Sequence, residues 1–284
     1  MPRARWRWVA VAAAVVFLVA AGVTGIVVVT RSHSGSASIP LPTSMASVGD
    51  SITRAFDVTG EHPLQDTPAE SWSTGTDPAV QSQYDRLVAA RPALAGRVFN
   101  EARTGAQMAA LDGQLQAAAA QRVDYVTVLM GANDLCTRTV DAMTPTATFA
   151  AEFDRALSGF FGADPGGRMF VASIPDLYQL WAALGANPVA QLTWSAAHVC
   201  QSMLSEAATP AERQQVVVQE QADNAVLASV CLRYPHCRFD GGAVYRTQFT
   251  ALNVSTVDYF HPNLSGQQIL AQVTWAAGYW PSTP

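Results

Sequence analysis

The sequence predicts an α/β protein with a mostly parallel five-stranded sheet covered by helices on both faces. Two observations predict it. Short runs that are apolar almost throughout alternate with longer stretches carrying apolar residues at three- and four-residue spacing. The residues with catalytic potential also fall just after the ends of the apolar runs, where open parallel sheets bind their ligands.

In chain order, "SMASVG" (44–49) is the first strand and "RVFNEA" (97–102) the second. "DYVTVLMGAND" (124–134) contains the third and strongest, with five of the six residues Tyr125 to Met130 apolar. "RMFVASIPDL" (168–177) starts as the fourth, and "HCRFDGG" (236–242) is the fifth. The helical stretches between them are "QSQYDRLVAARP", ended by its proline, the alanine-rich "AQMAALDGQLQAAAAQ", and "TFAAEFDRALSGFF". The long "PAERQQVVVQEQADNAVLASVCLRY" follows, and "SGQQILAQVTWAAGYW" closes the chain. Ser265 with Gln268 predicts a capping box for that last helix.

The chain of 284 residues opens differently. Arg3, Arg5 and Arg7 precede an uncharged apolar run from Val9 to Thr30, 22 residues, long enough to cross a bilayer as a helix. Residues 1–30 are therefore expected to be a signal anchor or a cleaved signal peptide, with the basic flank inside and the rest exported. Uncleaved, the segment would hold the protein to the membrane. Residues 31–43, rich in Ser, Gly and Pro, read as a linker, and 44–284 as the working domain. Beyond Arg31 thirteen arginines face 22 Asp and Glu, a net of −9. That charge excludes a nucleic-acid partner, whose phosphates need a basic footprint.

Cys136, Cys200, Cys231 and Cys237 all lie in the exported part, and an even number there predicts two disulfides. Three pairings exist; the favoured one joins Cys231 to Cys237 across a small loop and Cys136 to Cys200. A metal reading of "CLRYPHC" lacks the paired spacing of zinc sites, so neither metal nor organic cofactor is expected.

Ser51, in "ASVGDSITRAF" (46–56), sits in a Gly-Asp-Ser turn after the first strand. A serine hydroxyl becomes a useful nucleophile only with a base, a group that orients the base, and donors for the developing oxyanion. Of five histidines, His33, His62, His198 and His236 stand in linker, loop, helix and cysteine-loop contexts. His261 stands in "VDYFHPNLSGQQ", three residues after Asp258, a spacing that on a turn lets the carboxylate reach one ring nitrogen. The backbone N–H groups of Ser51 and Gly105 and the side-chain amide of Asn133 are candidate oxyanion donors. On the residues alone, Asp258 could instead be a simple turn residue, Gly105 a conformational glycine, and Asn133 a turn or cap residue.

Taken in order, "GDSIT" (49–53), Asn100 with Gly105, "GAND" (131–134) and "DYFH" (258–261) resemble the SGNH, or GDSL, hydrolases. The resemblance implies a flavodoxin-like three-layer α/β/α domain and an acyl-ester substrate. It makes Ser51 the nucleophile, His261 the base, Asp258 its orienter, and Ser51, Gly105 and Asn133 the oxyanion hole. Ile52 replaces the leucine of the family name. "SWSTG" (71–75), Leu135-Cys136, "SIPDL" (173–177) and "FHPNLSG" are similar to the phospholipase B branch, which implies phospholipids or lysophospholipids. A carbohydrate O-acetylesterase using the same site is the alternative, and a catalytically silent tethered binding protein the alternative from another class.

Overall fold

The computed structural model describes residues 39–282. The expected N-terminal hydrophobic helix and the start of the linker lie outside the described residues. Residues 39–43, expected as the end of that linker, are tied to the folded body instead. The Asp124 carboxylate accepts the Thr43 and Ser44 amides at 2.9–3.0 Å, Trp280 Nε1 donates to the Ile39 carbonyl, and Arg91 donates to that of Leu41.

The strands are β1 (Met45–Gly49), β2 (Val98–Asn100), β3 (Tyr125–Leu129), β4 (Arg168–Val171) and β5 (Cys237–Phe239). They form one sheet in the order β2-β1-β3-β4-β5, with every pairing parallel. This is the flavodoxin-like order, in which the chain reverses direction of winding beside β1 and β3. β1 and β3 are buried along their whole length, so both of their faces must be covered.

Helices α1 (Gln83–Ala90), α2 (Leu111–Ala120), α3 (Ala132–Leu135), α4 (Thr146–Ala163), α5 (Leu177–Leu184), α6 (Pro188–Ala196), α7 (Gln201–Leu204), α8 (Pro210–Cys231) and α9 (Leu264–Ala277) supply the cover. Alternation along β1 sorts the layers. Ala46 and Val48 join Leu111 and Leu115 of α2, Phe149, Phe153 and Leu157 of α4, and Val216 and Leu227 of α8. Met45 joins Leu87 of α1, Leu270 and Trp275 of α9, and Trp72 on the opposite face. Fully buried Phe149 and Phe153 anchor the larger core, and truncating either to alanine costs about 3–5 kcal/mol.

Two disulfides close the chain on itself. Cys136–Cys200 ties the end of α3 to the start of α7, and Cys231–Cys237 ties α8 to β5. Loop closure across sequence separations of 64 and 6 stabilises by about 4 and about 2 kcal/mol on the chain-entropy account.

The capping box expected at Ser265 is not formed. Asn263 caps α9 one residue ahead of the helix, its carboxamide accepting the Gly266 amide at 3.1 Å. Ser265 donates to Asn263 Oδ1, supporting the cap rather than being it. Asn263 itself has extended backbone, as an N-cap does.

Candidate active site

The site gathers at the carboxyl ends of β1, β2 and β3, with one further loop arriving from before α9. β1 ends at Gly49, whose φ of +146° is open to glycine and rarely to other residues. A Cβ there would lie 2.2 Å from the Leu129 carbonyl oxygen of β3, so the close approach of the two strand ends also demands glycine. Beyond it the chain turns tightly. Asp50 Oδ1 accepts the Ile52 amide at 2.9 Å, and the Ser51 carbonyl accepts the Phe56 amide at 3.0 Å. Ser51 is thereby held just beyond the strand end.

His261 arrives from the loop before α9. Tyr259 adopts a left-handed φ of +56°, which folds the segment back on itself. Asp258 Oδ1 then accepts the amides of Phe260 and His261 at 2.9 and 3.0 Å, an Asx turn, while Oδ2 bonds His261 Nδ1. The other ring nitrogen, Nε2, stands 2.8 Å from Ser51 Oγ. Trp194 Nε1 pins the turn through the Tyr259 carbonyl at 3.1 Å. Ser51, Asp258 and His261 are all buried. Burial alone would push the Asp258 carboxyl up. The hydrogen bond and charge of His261, with the two turn amides, outweigh burial and hold it below its ordinary value.

Gly105 and Asn133 sit on neighbouring loops, after β2 and β3. The two loops are stitched together: Asn133 Nδ2 donates to the Ala106 carbonyl at 2.9 Å, Gln107 Nε2 to the Asn133 carbonyl, and the Met108 amide to Asp134 Oδ2. Gly105 has φ +79° and is exposed, and the Arg103 amide fastens its loop to the Gly49 carbonyl. Among the described residues, the Ser51 and Gly105 N–H groups make no hydrogen bond, and Asn133 keeps one amide hydrogen free.

Beside His261 opens an apolar pocket. Ile52, Leu177, Leu180, Ala183, Phe249 and Phe260 line it with His261. α5 thus walls the pocket with Leu177, Leu180 and Ala183, while Ala190 and Trp194 of α6 enter the core. His62, His198 and His236 are exposed and away from these contacts, and His33 lies outside the described residues. Because Cys231 and Cys237 bond each other, their sulfurs are not open to a metal. Among the described residues no His, Cys, Asp and Glu cluster could hold one.

Three functional neighbours carried no legible signal of their role. Asp50 is fully buried, and burial pushes its carboxyl up to about 7 against the Ile52 amide and the nearby His261 charge. Gln114 of α2 bonds both backbone groups of Gly49, and Gln267 of α9 accepts from the Trp72 amide and donates to the Ile52 carbonyl. Each glutamine occupies a core-facing position of its helix, which is the one trace sequence reading could have used.

The model of the GDSL-like lipase/acylhydrolase family matches residues 47–269. The chain belongs to that family. As a GDSL-like hydrolase it is a serine enzyme acting on ester bonds. Among solved structures this GDSL-like chain is similar to LAE5, an alpha/beta hydrolase enzyme from the metagenome of Lake Arreo, Spain. The TM-score is 0.53 at 17% identity, over 82% of this chain and 94% of that one. It is also similar to the acetyl xylan esterase AlAXEase, with TM-score 0.50 and 12% identity over 82% and 98%. At such identities the likeness speaks for the fold. No functionally curated protein matches the sequence.

Proposed function

We propose that this GDSL-like hydrolase cleaves acyl esters outside the cytoplasm by a Ser51–His261–Asp258 triad. The observation that carries the reading is the unbroken contact from Asp258 through both ring nitrogens of His261 to Ser51 Oγ, the last link 2.8 Å long. Asp258 fixes the tautomer with the proton on Nδ1, so Nε2 is free to take the Ser51 proton as Oγ attacks the ester carbonyl. The oxyanion would form against the Ser51 and Gly105 N–H groups and the free amide hydrogen of Asn133. His261 then hands its proton to the departing alcohol, and a water activated by the same nitrogen releases the acid.

The acyl chain would lie in the pocket beside His261, whose aliphatic and aromatic walls suit a lipid chain better than an acetyl group. Long-chain acyl esters are therefore favoured ahead of acetylated carbohydrate, with phospholipids and lysophospholipids among them on the motif similarity alone. Two disulfides suit an oxidising compartment, consistent with the apolar residues 1–30 acting as signal or anchor. The test is turnover of p-nitrophenyl esters from acetyl to long-chain acyl by the disulfide-bonded protein, with Ser51→Ala and His261→Ala alongside. A long-chain optimum lost in both variants supports the reading. An acetyl optimum would move the substrate to O-acetyl groups, and activity surviving in Ser51→Ala would remove the triad.

A further inference from the structure

The loop that follows the Ser51 turn reaches across to the turn that carries Gly105, and Asp66 makes the crossing. Its Oδ2 accepts from Arg54 Nε at 2.9 Å, and its Oδ1 accepts from Thr104 Oγ1 at 2.5 Å. One carboxylate thus joins the segment after Ser51 to the residue before Gly105. Asp66 is itself fixed on the Ser51 side by its neighbours' backbone. The Asp57 amide donates to the Gln65 carbonyl at 3.1 Å, and the Thr67 amide to the Arg54 carbonyl at 3.2 Å.

The geometry of the second turn gives that bond its importance. The Ala106 amide donates to the Arg103 carbonyl at 3.0 Å, closing a four-residue turn with Thr104 and Gly105 at its centre. Gly105 has φ +79°, the sign a type II turn has at its third residue. Type I and type II turns differ by about half a rotation of the central peptide. That peptide carries the Gly105 N–H, so a flip would turn the proposed oxyanion donor round. Glycine opposes the flip little, because either sign of φ is open to it. Among the described residues, Thr104 is the one member of this turn whose side chain is hydrogen-bonded.

We propose that Asp66 and Thr104 are positioning residues that hold the central peptide of the 103–106 turn so that the Gly105 N–H faces the oxyanion. This rests on the oxyanion assignment above. Both act through Gly105 rather than on the substrate. A plain surface staple between two loops would cost stability without separating kcat from KM.

Thr104→Val keeps the shape of the side chain and removes the hydroxyl. Thr104 is exposed, so the variant is expected to fold. On p-nitrophenyl butyrate its kcat should fall about tenfold or more with KM within about twofold, as misaiming a transition-state donor does. Thr104→Ser keeps the hydroxyl and should recover most of that loss. Asp66→Ala should also lower kcat, and adding Thr104→Val to it should cost nothing more, since both remove the same bond. Wild-type kcat in a folded Thr104→Val, or an equal loss in Thr104→Ser, would overturn the proposal. So would a loss confined to KM, or losses that multiply in the double variant. If Asp66→Ala does not fold, the Thr104→Val and Thr104→Ser pair decides alone. Ser51→Ala in the same assay keeps the two readings apart: if it retains activity the triad fails, whereas its inactivity beside an unaffected Thr104→Val removes the clamp alone.

Discussion

Gln114 clasps Gly49 from both sides, accepting its amide on Oε1 at 2.7 Å and donating Nε2 to its carbonyl at 2.9 Å. The side chain of α2 thus continues the hydrogen bonding of β1 at the point where the strand gives way to the nucleophile turn. Gly49 is buried, so no water replaces these partners. Gln114→Ala is expected to destabilise the fold by about 2–4 kcal/mol, through a stranded Gly49 amide and a small cavity, the Gly49 carbonyl keeping the Arg103 amide. A denaturant midpoint unchanged from wild type would show the clasp to be dispensable.

Asn133→Ala removes one of the proposed oxyanion donors and leaves the Ala106 carbonyl without its partner. A loss of about a hundredfold in kcat is expected, with KM changed much less. Steady-state kinetics on one ester checks this, and a drop confined to KM would assign Asn133 to substrate binding instead.

The pocket prediction concerns specificity rather than rate. Ala183 is an exposed residue of α5 at the wall of the apolar pocket. Ala183→Trp should fill that space, lowering kcat/KM for octanoyl esters about tenfold or more while acetyl esters turn over as before. Equal losses on both chain lengths would place the acyl group elsewhere.

Stability should fall as pH rises from about 4 toward 7. Burial pushes Asp50 up to about 7, and Asp134 and Asp223 up to about 6. The folded protein keeps these protons after the unfolded chain, titrating near 4, has released them. Unfolding then loses protons, and the sign of the linkage makes the native state progressively less stable across that window. Asp258, held low, acts in the opposite sense below its unfolded value. Asp223→Asn is expected to flatten the decline between about pH 4 and pH 6, read as urea midpoint against pH. A slope identical to wild type would contradict this.

The Cys136–Cys200 bond fastens α3, which carries Asn133, to α7. Replacing both cysteines with serine should cost up to about 4 kcal/mol, lowering the melting temperature. Differential scanning calorimetry of the double variant measures it.

Much of this architecture was legible in the chain. β1 and β3 announce themselves because a strand buried on both faces has no reason to be polar, and α4 and α8 because their apolar spacing is long. The edge strands β2 and β5 are three residues each and only half-buried, which is why their runs are short and mixed. None of the helices expected from the sequence covers α5 or α6, although Asp176 and Asn187, the latter followed by Pro188, stand where helix caps belong and do cap them. The last helix shows the opposite error, a Ser-x-x-Gln pattern overruled by an asparagine two residues earlier. In the site, Ser51, Asp258 and His261 stand out through the resemblance that the four ordered motifs carry, since each alone reads as an ordinary turn or loop residue. Asp57, Asp50 and Asp223 do not, since an aspartate in sequence looks solvated and only tertiary packing makes it buried.

The most direct test of the triad is covalent labelling with a fluorophosphonate, followed by peptide mapping by mass spectrometry. The account predicts one adduct, on Ser51, forming at least about a hundredfold more slowly in His261→Ala. An adduct on another serine, or labelling of Ser51 at an undiminished rate without His261, would contradict it.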